Sequence, residues 1–498
     1  MAIIFNEDPN HFIYSRTAAG RTSVTEDDLR DFIRQYKDTN ISDFLVCVNA
    51  SMPFYPTKSM TSAIDRYNEW EARGIQSSDP VAACVGLLRS ICSSGTDLFG
   101  IWLDEIKKCG MRGWVSVRMN DIHSAEDPDA FLPGDFYKAH PEYRRTSYRR
   151  SCTHPEYTLD YSFPQVREHY LSLIGETLDT FDCDGIELDY MREPFCFAIG
   201  REYDGLAIMT EFVGNVVSLV RKAEKRRGHR ILLAARMPDS PKNALRLGFD
   251  VIEWMERGYL DRLFVTPHWS SSDGDMQIDL WKRLTEKRGV RLAAGLEQLL
   301  DAYNRPGRKY LNSDARTAVG FACAYDHLGA DDVYLFNHMD MSRPTGDDDI
   351  FAGDNYKMLL TTLGDREKML AAPRRCVVTF GDTWMPGEKP RKPLPVTISD
   401  AGFEALRIPT GKITAERRVT VILGFECGLS SGTDTEVYAD CRKCRPLGKV
   451  APSYPAYEDM DYYAYEVEND GKLPVVTMIE MGTVRGTARI HWAELCID

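Results

Sequence analysis

The sequence predicts an α/β fold, a (β/α)8 TIM barrel followed by a C-terminal all-β sandwich. Two observations lead to this fold class. Short apolar runs alternate with longer helical patterns through residues 1–372, and the helical patterns stop beyond that point. Strands that alternate with helices build a parallel sheet covered by those helices. We therefore expect a barrel domain over residues 1–372 and an accessory β-sandwich over residues 373–498.

Eight short apolar segments are the candidate barrel strands. Each has the length of a buried strand and is separated from the next by polar or turn-forming residues. A doubly wound sheet is the alternative, but it would usually begin with a Gly-rich turn, and no GxGxxG motif occurs. The candidate strands are Phe12–Arg16, Phe44–Asn49, Trp114–Asn120, Gly185–Tyr190, Ile231–Arg236, Leu263–His268, Leu292–Glu297 and Val333–His338.

Helical patterns fill the intervals between these strands. The clearest covers Pro164–Phe181, where Pro164 suits the first turn and apolar residues recur at helical spacing. The other predicted helices are Leu206–Arg227, Lys242–Arg257, Gln277–Lys287, Ser313–Leu328 and Asn355–Leu370.

The chain changes character after Leu370. Prolines become frequent, and the apolar segments are short and rich in β-branched and aromatic residues, as in Arg418–Leu423 and Tyr462–Val467. Because no long helical pattern is visible there, this region is expected to form the β-sandwich.

The overall charge excludes some classes of partner. The chain has 61 Lys and Arg against 75 Asp and Glu, a formal net charge of −14. Such an acidic chain argues against a general nucleic-acid or anionic-membrane binder. No run approaches the ~18 apolar residues of a membrane helix. We expect neither a nucleic-acid nor a membrane partner, and the sequence does not indicate the oligomeric state.

Two features bear on localisation. The segment Met1–Asp8 has neither a basic region nor a long apolar stretch, so no signal peptide is expected. The 13 Cys are an odd number, and several lie in apolar segments, which is typical of reduced thiols. The sequence as it stands therefore predicts a cytoplasmic protein, or a periplasmic or secreted one if a leader has been removed.

Polar side chains end almost every predicted strand. Barrel enzymes carry their active sites at the carboxyl ends of the strands, and side chains alternate between the two faces of a strand. This alternation places Glu187 and Asp189 on one face of strand four and Glu297 on the inner face of strand seven. Other polar residues lie at the ends of the predicted strands: Arg118 and Asn120 on strand three, Arg236 on strand five, His268 on strand six and Asn337 on strand eight. Their convergence predicts a ligand-binding mouth.

The paired acids are the most specific element of this mouth. Strands four and seven lie well apart around a barrel, so that their carboxyl groups could flank a bound sugar ring. Cleavage of a glycosidic bond needs one acid that protonates the leaving oxygen and a second that attacks the anomeric carbon or activates water. Glu297 is the candidate nucleophile or base and Asp189 its partner. Glu187 would tune or replace one of them, or would be a structural acid paired with Arg118 or Arg236.

The segment Cys183–Pro194, CDGIELDYMREP, resembles the DGI-x-LDY-x-R-x-P strand of family-ten-like glycosyl hydrolases in the glycoside-hydrolase-like (β/α)8 superfamily. A His-Pro-Glu-Tyr segment lies upstream of it. The helix between the two begins with a D-x-x-x-P-x-V-R pattern, which is matched here by Asp160, Pro164, Val166 and Arg167. The resemblance covers about residues 110–200. It implies a retaining-type barrel fold and carbohydrate substrates.

The other residues at the mouth are candidate contacts for a sugar. Aromatic rings stack on the apolar faces of pyranoses, which makes Tyr190 and Trp269 candidates. Three guanidinium groups could bind a uronate carboxylate or a sulfate, or could instead neutralise Glu187, Asp189 and Glu193. The full set of predicted substrate-binding residues is Arg118, Asn120, Arg192, Arg236, His268, Trp269, Asn337 and Tyr190.

The hypothesis at this point is a glycoside hydrolase that acts on a poly- or oligosaccharide, with a carbohydrate as its partner and without a cofactor or metal. Two alternatives stay open. The first is a metal-dependent barrel lyase or hydrolase, for which His268, His338 and Asp189 are conceivable ligands, although no HxH or HExxH spacing occurs. The second is a non-catalytic carbohydrate-binding protein.

Overall fold

The computed structural model describes residues 1–75, 80–127, 129–145, 157–303, 311–338, 355–427, 434–454, 460–483 and 485–498. Eight parallel strands form a closed barrel in which each strand pairs with its neighbours along the chain and β8 closes onto β1. These strands are β1 (Ile3–Glu7), β2 (Ile41–Cys47), β3 (Arg112–Arg118), β4 (Gly185–Asp189), β5 (Leu232–Met237), β6 (Arg262–Val265), β7 (Arg291–Glu297) and β8 (Asp332–Phe336).

Fourteen α-helices of the described chain cover the barrel and its loops. They are α1 (Pro9–Ala18), α2 (Glu26–Arg34), α3 (Ala63–Ala72), α4 (Pro80–Ser93), α5 (Leu98–Lys108), α6 (Asp135–Ala139), α7 (Pro164–Thr180), α8 (Glu202–Arg227), α9 (Pro241–Arg246), α10 (Val251–Glu256), α11 (Ile278–Glu286), α12 (Ala315–Leu328), α13 (Asn355–Thr362) and α14 (Arg366–Ala371). In the described ranges no helix is both long and apolar enough to cross a membrane.

The C-terminal region forms two antiparallel sheets, as expected for a β-sandwich. The larger sheet contains β9 (Arg374–Val377), β10 (Val396–Ser399), β12 (Val419–Glu426), β14 (Arg445–Val450), β15 (Met460–Val467) and β17 (Thr487–Ile497). The smaller one contains β11 (Glu404–Pro409), β13 (Thr435–Ala439), β16 (Val476–Thr483) and the short strand Arg442–Lys443. The predicted fold class, a TIM barrel followed by an all-β domain, is confirmed.

The prediction of the first strand is wrong. Phe12–Arg16 lies inside α1, whereas β1 is Ile3–Glu7, which is entirely buried. Asp8 caps α1 by accepting a hydrogen bond from the Asn10 N–H, and Pro9 occupies the first helical position. A short apolar run fits a strand and a buried helix equally well. The Asp-Pro pair before it distinguishes the two, because Asp and Pro are typical of the first positions of a helix.

Two long predicted helices are each divided in the structure. The pattern over Lys242–Arg257 corresponds to α9 and α10, and Asn355–Leu370 corresponds to α13 and α14. Glycines in the left-handed region, Gly248 at φ +93° and Gly364 at φ +82°, lie between the two halves in each case. Such a conformation ends a helix, and glycine adopts it at little cost.

The barrel interior is packed with apolar side chains of all but one of its strands. Ile4, Leu45, Trp114, Ala234, Phe264, Ala293, Tyr334 and Phe336 form this inner core. At the amino ends of the strands, Asp43 accepts hydrogen bonds from Arg112, Arg262 and the Trp114 indole. Gly185 makes room for Trp114, because a Cβ atom there would lie 2.3 Å from the ring. The lower end of the barrel is therefore filled, and any ligand must enter from the carboxyl ends.

The barrel and the β-sandwich are joined along α12. This helix packs directly on β9, and a Cβ atom on Gly320 would lie 2.1 Å from the Arg375 carbonyl oxygen. Arg375 also pairs with Asp314, the N-cap residue of α12. The close approach of backbone to backbone therefore depends on a glycine in the middle of the helix.

We expect Gly320→Ala to destabilise the protein by about 2 kcal/mol or more, because the added methyl group must push the β9 backbone away from α12. Thermal unfolding followed by circular dichroism measures the effect. Gly175→Ala in α7 is the matched control, since its Cβ would meet only Leu219 at 3.8 Å. That change should leave the protein equally stable or stabilise it by up to about 1 kcal/mol. Equal melting temperatures for Gly320→Ala and wild type would contradict this account of the junction.

Candidate active site

Three acidic residues lie at the carboxyl ends of the barrel strands and point into the barrel. Glu187 and Asp189 occupy inner positions of β4, while Ile186 and Leu188 between them pack in the outer core. Glu297 is the last residue of β7. All three are almost completely buried, with at most 1% of each residue exposed. The mouth thus places three carboxyl groups where water has little access.

Arg236 is the cation that these acids surround. It is fully buried at the end of β5, and its Nη1 donates to Asp189 Oδ2 at 3.1 Å. Its Nε donates to Thr266 Oγ1 at 2.9 Å, and its guanidinium lies 3.6 Å from the Phe336 ring centroid. Glu187 and Glu297 also interact electrostatically with it. Arg236 Nη2 is buried without a hydrogen-bond partner in the described chain.

Glu297 is held by the residue that follows β8. The amide nitrogen of Asn337 donates to both carboxylate oxygens at 2.9 Å, and the Gln298 N–H donates to Oε1 at 3.0 Å. Asn337 has a left-handed backbone, at φ 57°, which asparagine tolerates better than most residues. Burial raises the pKa of Glu297 to about 7, although Asn337, Arg236 and Arg192 each act in the opposite direction.

Glu187 lies in a different environment, with neutral partners. Its carboxylate accepts hydrogen bonds from the Tyr334 hydroxyl at 2.8 Å, from Ser116 Oγ at 2.5 Å and from the Asn6 amide at 3.3 Å. Burial and the nearby charge of Asp189 raise the pKa of Glu187 to about 7. The oxygens of Glu187 accept hydrogen bonds from these three side chains, and not from Arg118 or Arg236 as expected.

Arg118 is not available as a substrate contact. Its guanidinium donates to Asp8 and to Asp121, the latter at 3.1 Å, and only 4% of the residue is exposed. Two carboxylates outweigh its charge, so its role is to hold the loops after β1 and β3. The predicted sugar or anion contact by Arg118 has no support in this arrangement.

Arg192 remains closer to the mouth. Its Nη2 lies 3.0 Å from His123 Nε2, and His123 Nδ1 lies 2.7 Å from Asp121. The guanidinium is 5.3 Å from the Phe336 ring centroid, so that Arg192 and Arg236 both face this ring. Its Nε makes no hydrogen bond in the described ranges, although it lies 3.9 Å from Asp121 Oδ2. Each of the two guanidinium groups at this ring therefore has a buried nitrogen that donates no hydrogen bond to a described residue.

His268 and Trp269 are positioned by the segment that enters the β-sandwich. The Asp382 carboxylate accepts from the backbone N–H groups of His268, Trp269 and Ser270 at 2.8, 2.9 and 2.8 Å. Burial lowers the pKa of His268, but the Glu193 and Asp382 carboxylates and the Arg192 backbone together more than offset this effect, so the pKa lies above its usual value. Trp269 is 36% exposed and presents an aromatic surface at the mouth.

Two predicted sugar contacts lie elsewhere. Tyr190 follows Asp189 and therefore points out of the barrel, where it is fully buried against Phe249 and Trp254. Asn120 uses its amide for the Leu159 backbone, donating at 3.0 Å and accepting at 2.9 Å. Tyr190 is corrected to a core residue and Asn120 to a residue that fastens the loop after β3.

Several residues of the mouth were not predicted from the sequence. Asn6 and Asp8 end β1 and were lost because the first strand was misplaced. Asp121 and His123 lie beyond the last residue of β3, and Asp382 lies more than a hundred residues from its partners. An acid within three residues of the end of a strand was the available signal for Asp8 and Asp121. His154, Pro155 and Glu156 of the family resemblance lie outside the described residues.

The described residues offer no cluster of metal ligands at the mouth. In the described part of the chain, no group of three or more His, Cys, Asp or Glu side chains is placed to hold a metal ion. His338 is fully buried behind β8, with Nδ1 2.9 Å from the Phe336 carbonyl oxygen.

The raised pKa of Glu297 predicts how stability depends on pH. The folded state favours the protonated form, so its stabilising effect is complete below the usual pKa of about 4.5 and is lost as the pH rises through about 7. Glu297→Gln keeps a neutral side chain at every pH. We expect it to raise the melting temperature relative to wild type at pH 8, by up to about 3 kcal/mol of unfolding free energy, and to change it little at pH 5.

Glu286→Gln on the exposed side of α11 is the control and should show no such pH dependence. A difference between Glu297→Gln and wild type that stays constant from pH 5 to pH 8 would show that Glu297 is ionised throughout.

Comparisons with known proteins give a likeness in fold only. No family model matches the sequence, and no curated protein matches it. Among solved structures, it is similar to a cycloisomaltooligosaccharide glucanotransferase from Paenibacillus sp. at 12% identity and a TM-score of 0.31, covering 94% of this chain and 55% of that one. The chain therefore spans about half the length of that protein.

Two further structures cover more of their own length. The glycoside hydrolase domain of PgaB from Bordetella bronchiseptica matches at 10% identity and a TM-score of 0.41, covering 68% of this chain and 94% of that one. Chitinase ChiA74 from Bacillus thuringiensis matches at 10% identity and a TM-score of 0.39, covering 97% and 98%. At such scores the likeness carries no argument about activity, which has to come from the site itself.

Proposed function

We propose that the protein is a glycoside hydrolase that cleaves a poly- or oligosaccharide at the mouth of its barrel. The observation that carries the proposal is the contrast between Asp189 and Glu297. Asp189 forms an ion pair with the buried Arg236, while burial raises the pKa of Glu297 to about 7. An acid held in an ion pair and a second acid with a raised pKa, both at the same mouth, suit the two roles that cleavage of a glycosidic bond needs.

The two environments assign the roles. Glu297, protonated below about pH 7, donates its proton to the glycosidic oxygen of the leaving group. Asp189, which pairs with Arg236, attacks the anomeric carbon or directs a water molecule to it. This assignment reverses the one expected from sequence, in which Glu297 was the nucleophile or base.

Glu187 has a supporting role in this proposal. Both of its oxygens accept hydrogen bonds from side chains of the barrel, so it is not free to contact a sugar. The nearby Asp189 raises the pKa of Glu187 and so opposes its ionisation. Because its pKa is raised, Glu187 adds less negative charge to the mouth than an ordinary glutamate would, and Arg236 pairs with Asp189 instead.

We further propose that the bound sugar carries an anionic group, a carboxylate or a sulfate. Arg236 Nη2 is a buried donor without an acceptor in the described chain, and Arg192 Nε makes no hydrogen bond there, lying 3.9 Å from Asp121 Oδ2. Buried donors of this kind are costly unless a ligand supplies the acceptor. Both guanidinium groups face the Phe336 ring, and an anion between them would accept from two cations at once.

Replacing either acid should abolish turnover. We expect Asp189→Asn and Glu297→Gln to lower kcat by about a thousandfold or more on any polysaccharide that the wild type cleaves, since each removes a group that acts on the reacting bond. Released reducing ends, measured over a panel of neutral and acidic polysaccharides, give the rate. Wild-type kcat/KM should fall as the pH rises above about 7, because Glu297 loses its proton.

Glu286→Gln is the control and should keep wild-type activity. Undiminished activity of Glu297→Gln in a folded protein would refute the assignment of the acid. Glycan binding without any product on the whole panel would favour the non-catalytic alternative.

The anionic substrate is tested separately. We expect Arg192→Gln to lower kcat/KM at least tenfold on an acidic polysaccharide and much less on the same polymer after chemical reduction of its carboxyl groups. Arg201→Gln, in an exposed ion pair with Asp204, is the matched control. Equal losses on the acidic and the reduced polymer would show that Arg192 does not recognise an anion.

A further inference from the structure

A second cavity lies beside the mouth, where the barrel meets the C-terminal region. Its volume is about 570 Å³, and it is enclosed by the loop after β5, the start of α11 and the segment 381–391 that leads into the β-sandwich. We call it the seam cavity. The side chains that matter for its chemistry are Asp239, Asn243, Gln277, Arg283, Trp384 and Arg391.

Most charges around the seam cavity are already paired. Arg391 binds the Asp273 carboxylate, Arg407 donates to Asp275 at 2.8 Å, and Arg246 pairs with Glu388. These pairs fix the walls and leave little net charge for a free ion. A ligand that carries a strong charge would therefore gain little here.

Hydrogen-bonding groups face the seam cavity in fixed positions. The Asn243 amide donates to Asp239 Oδ1 at 2.8 Å and to the Thr383 carbonyl at 2.9 Å, which ties the barrel loop to the segment 381–391. Burial and the neighbouring Asp273 raise the pKa of Asp239 to about 7. Asp239 is therefore protonated in part near neutral pH, and in that form it both donates and accepts hydrogen bonds.

The seam cavity also has an apolar side. The Trp384 ring is half-buried in its wall, with Lys392 Nζ 6.0 Å from the ring centroid. The guanidinium of Arg283 lines the cavity from α11 without an ion pair or hydrogen bond to another described residue. An aromatic face combined with fixed donors and acceptors suits a pyranose, which has apolar faces and hydroxyl groups at its edges.

The seam cavity is adjacent in the chain to the mouth. Gly381 and Thr383 line it, and Asp382 between them holds the backbone of Trp269. On the barrel side, Asp239 follows Arg236 of the mouth by three positions. A glycan that occupies the mouth would therefore have this second cavity beside it.

We propose that the seam cavity is a binding site for a neutral sugar unit of a glycan, separate from the barrel mouth. Trp384 stacks on one face of the ring, while Asp239, Asn243 and Arg283 take its hydroxyl groups. This binding goes beyond the proposed hydrolysis and does not require it.

Binding can be measured without turnover in the Glu297→Gln background. The probes are soluble neutral polysaccharides, namely xylan, mixed-linkage β-glucan and galactomannan, each cast into a native gel, with polygalacturonate as the acidic comparison. We expect at least one neutral polymer to retard the protein. Trp384→Ala, and independently Arg283→Ala, should weaken that retardation at least tenfold. Arg283 is exposed on α11, so its removal leaves the packing intact even if Trp384→Ala impairs folding.

Tyr203→Ala is the control, because it deletes an aromatic ring that is 62% exposed on α8, away from the cavity. It should bind like the parent protein. The proposal is overturned if no neutral polymer retards the protein, if only polygalacturonate does, or if retardation survives both Trp384→Ala and Arg283→Ala. Because every variant carries Glu297→Gln, failure of this test leaves the proposed hydrolysis untouched, and a protein that binds but never cleaves leaves the seam cavity site in place.

Discussion

The buried guanidinium of Arg236 is the interaction on which the barrel mouth depends. A cation without access to water is tolerated only when anions and hydrogen bonds compensate it, and here Asp189, Thr266 and the Phe336 ring do so. The ion pair holds the Asp189 carboxylate in place. Glu297 has no ion pair with Arg236, and burial raises its pKa to about 7. The proposed chemistry follows from this difference between the two acids.

The C-terminal region takes part in the mouth through backbone contacts. Asp382 binds three successive N–H groups after β6, so the position of Trp269 depends on a residue outside the barrel. The seam cavity is formed by the same segment, and Gly320 allows α12 to approach β9 closely. The all-β domain therefore supports the surface on which a glycan would lie, and a barrel without it would lose part of that surface.

The sequence predicted the architecture well because alternation of strands and helices is a local property that recurs eight times. It failed at the first strand, where Phe12–Arg16 has strand-like residues but Asp8 and Pro9 begin a helix. Strand alternation also predicted correctly that Glu187, Asp189 and Arg236 would point inward. What could not be read from sequence was the pairing among them. Arg118 lies at the end of a strand as Arg236 does, yet its guanidinium group pairs with Asp8 and Asp121, which lie in the loops after β1 and β3. Partners of this kind lie far apart in the chain, and only the fold brings them together.

The protonation state of Glu297 is the central claim, and it can be measured directly. In protein labelled with ¹³C at the glutamate carboxyl carbon, the resonance that is missing from Glu297→Gln identifies this residue in the wild type. Its chemical shift, followed by NMR from pH 4 to pH 9, should titrate with a midpoint of about 7. A midpoint near the ordinary value of about 4.5 would mean that Glu297 is ionised at neutral pH and cannot be the acid.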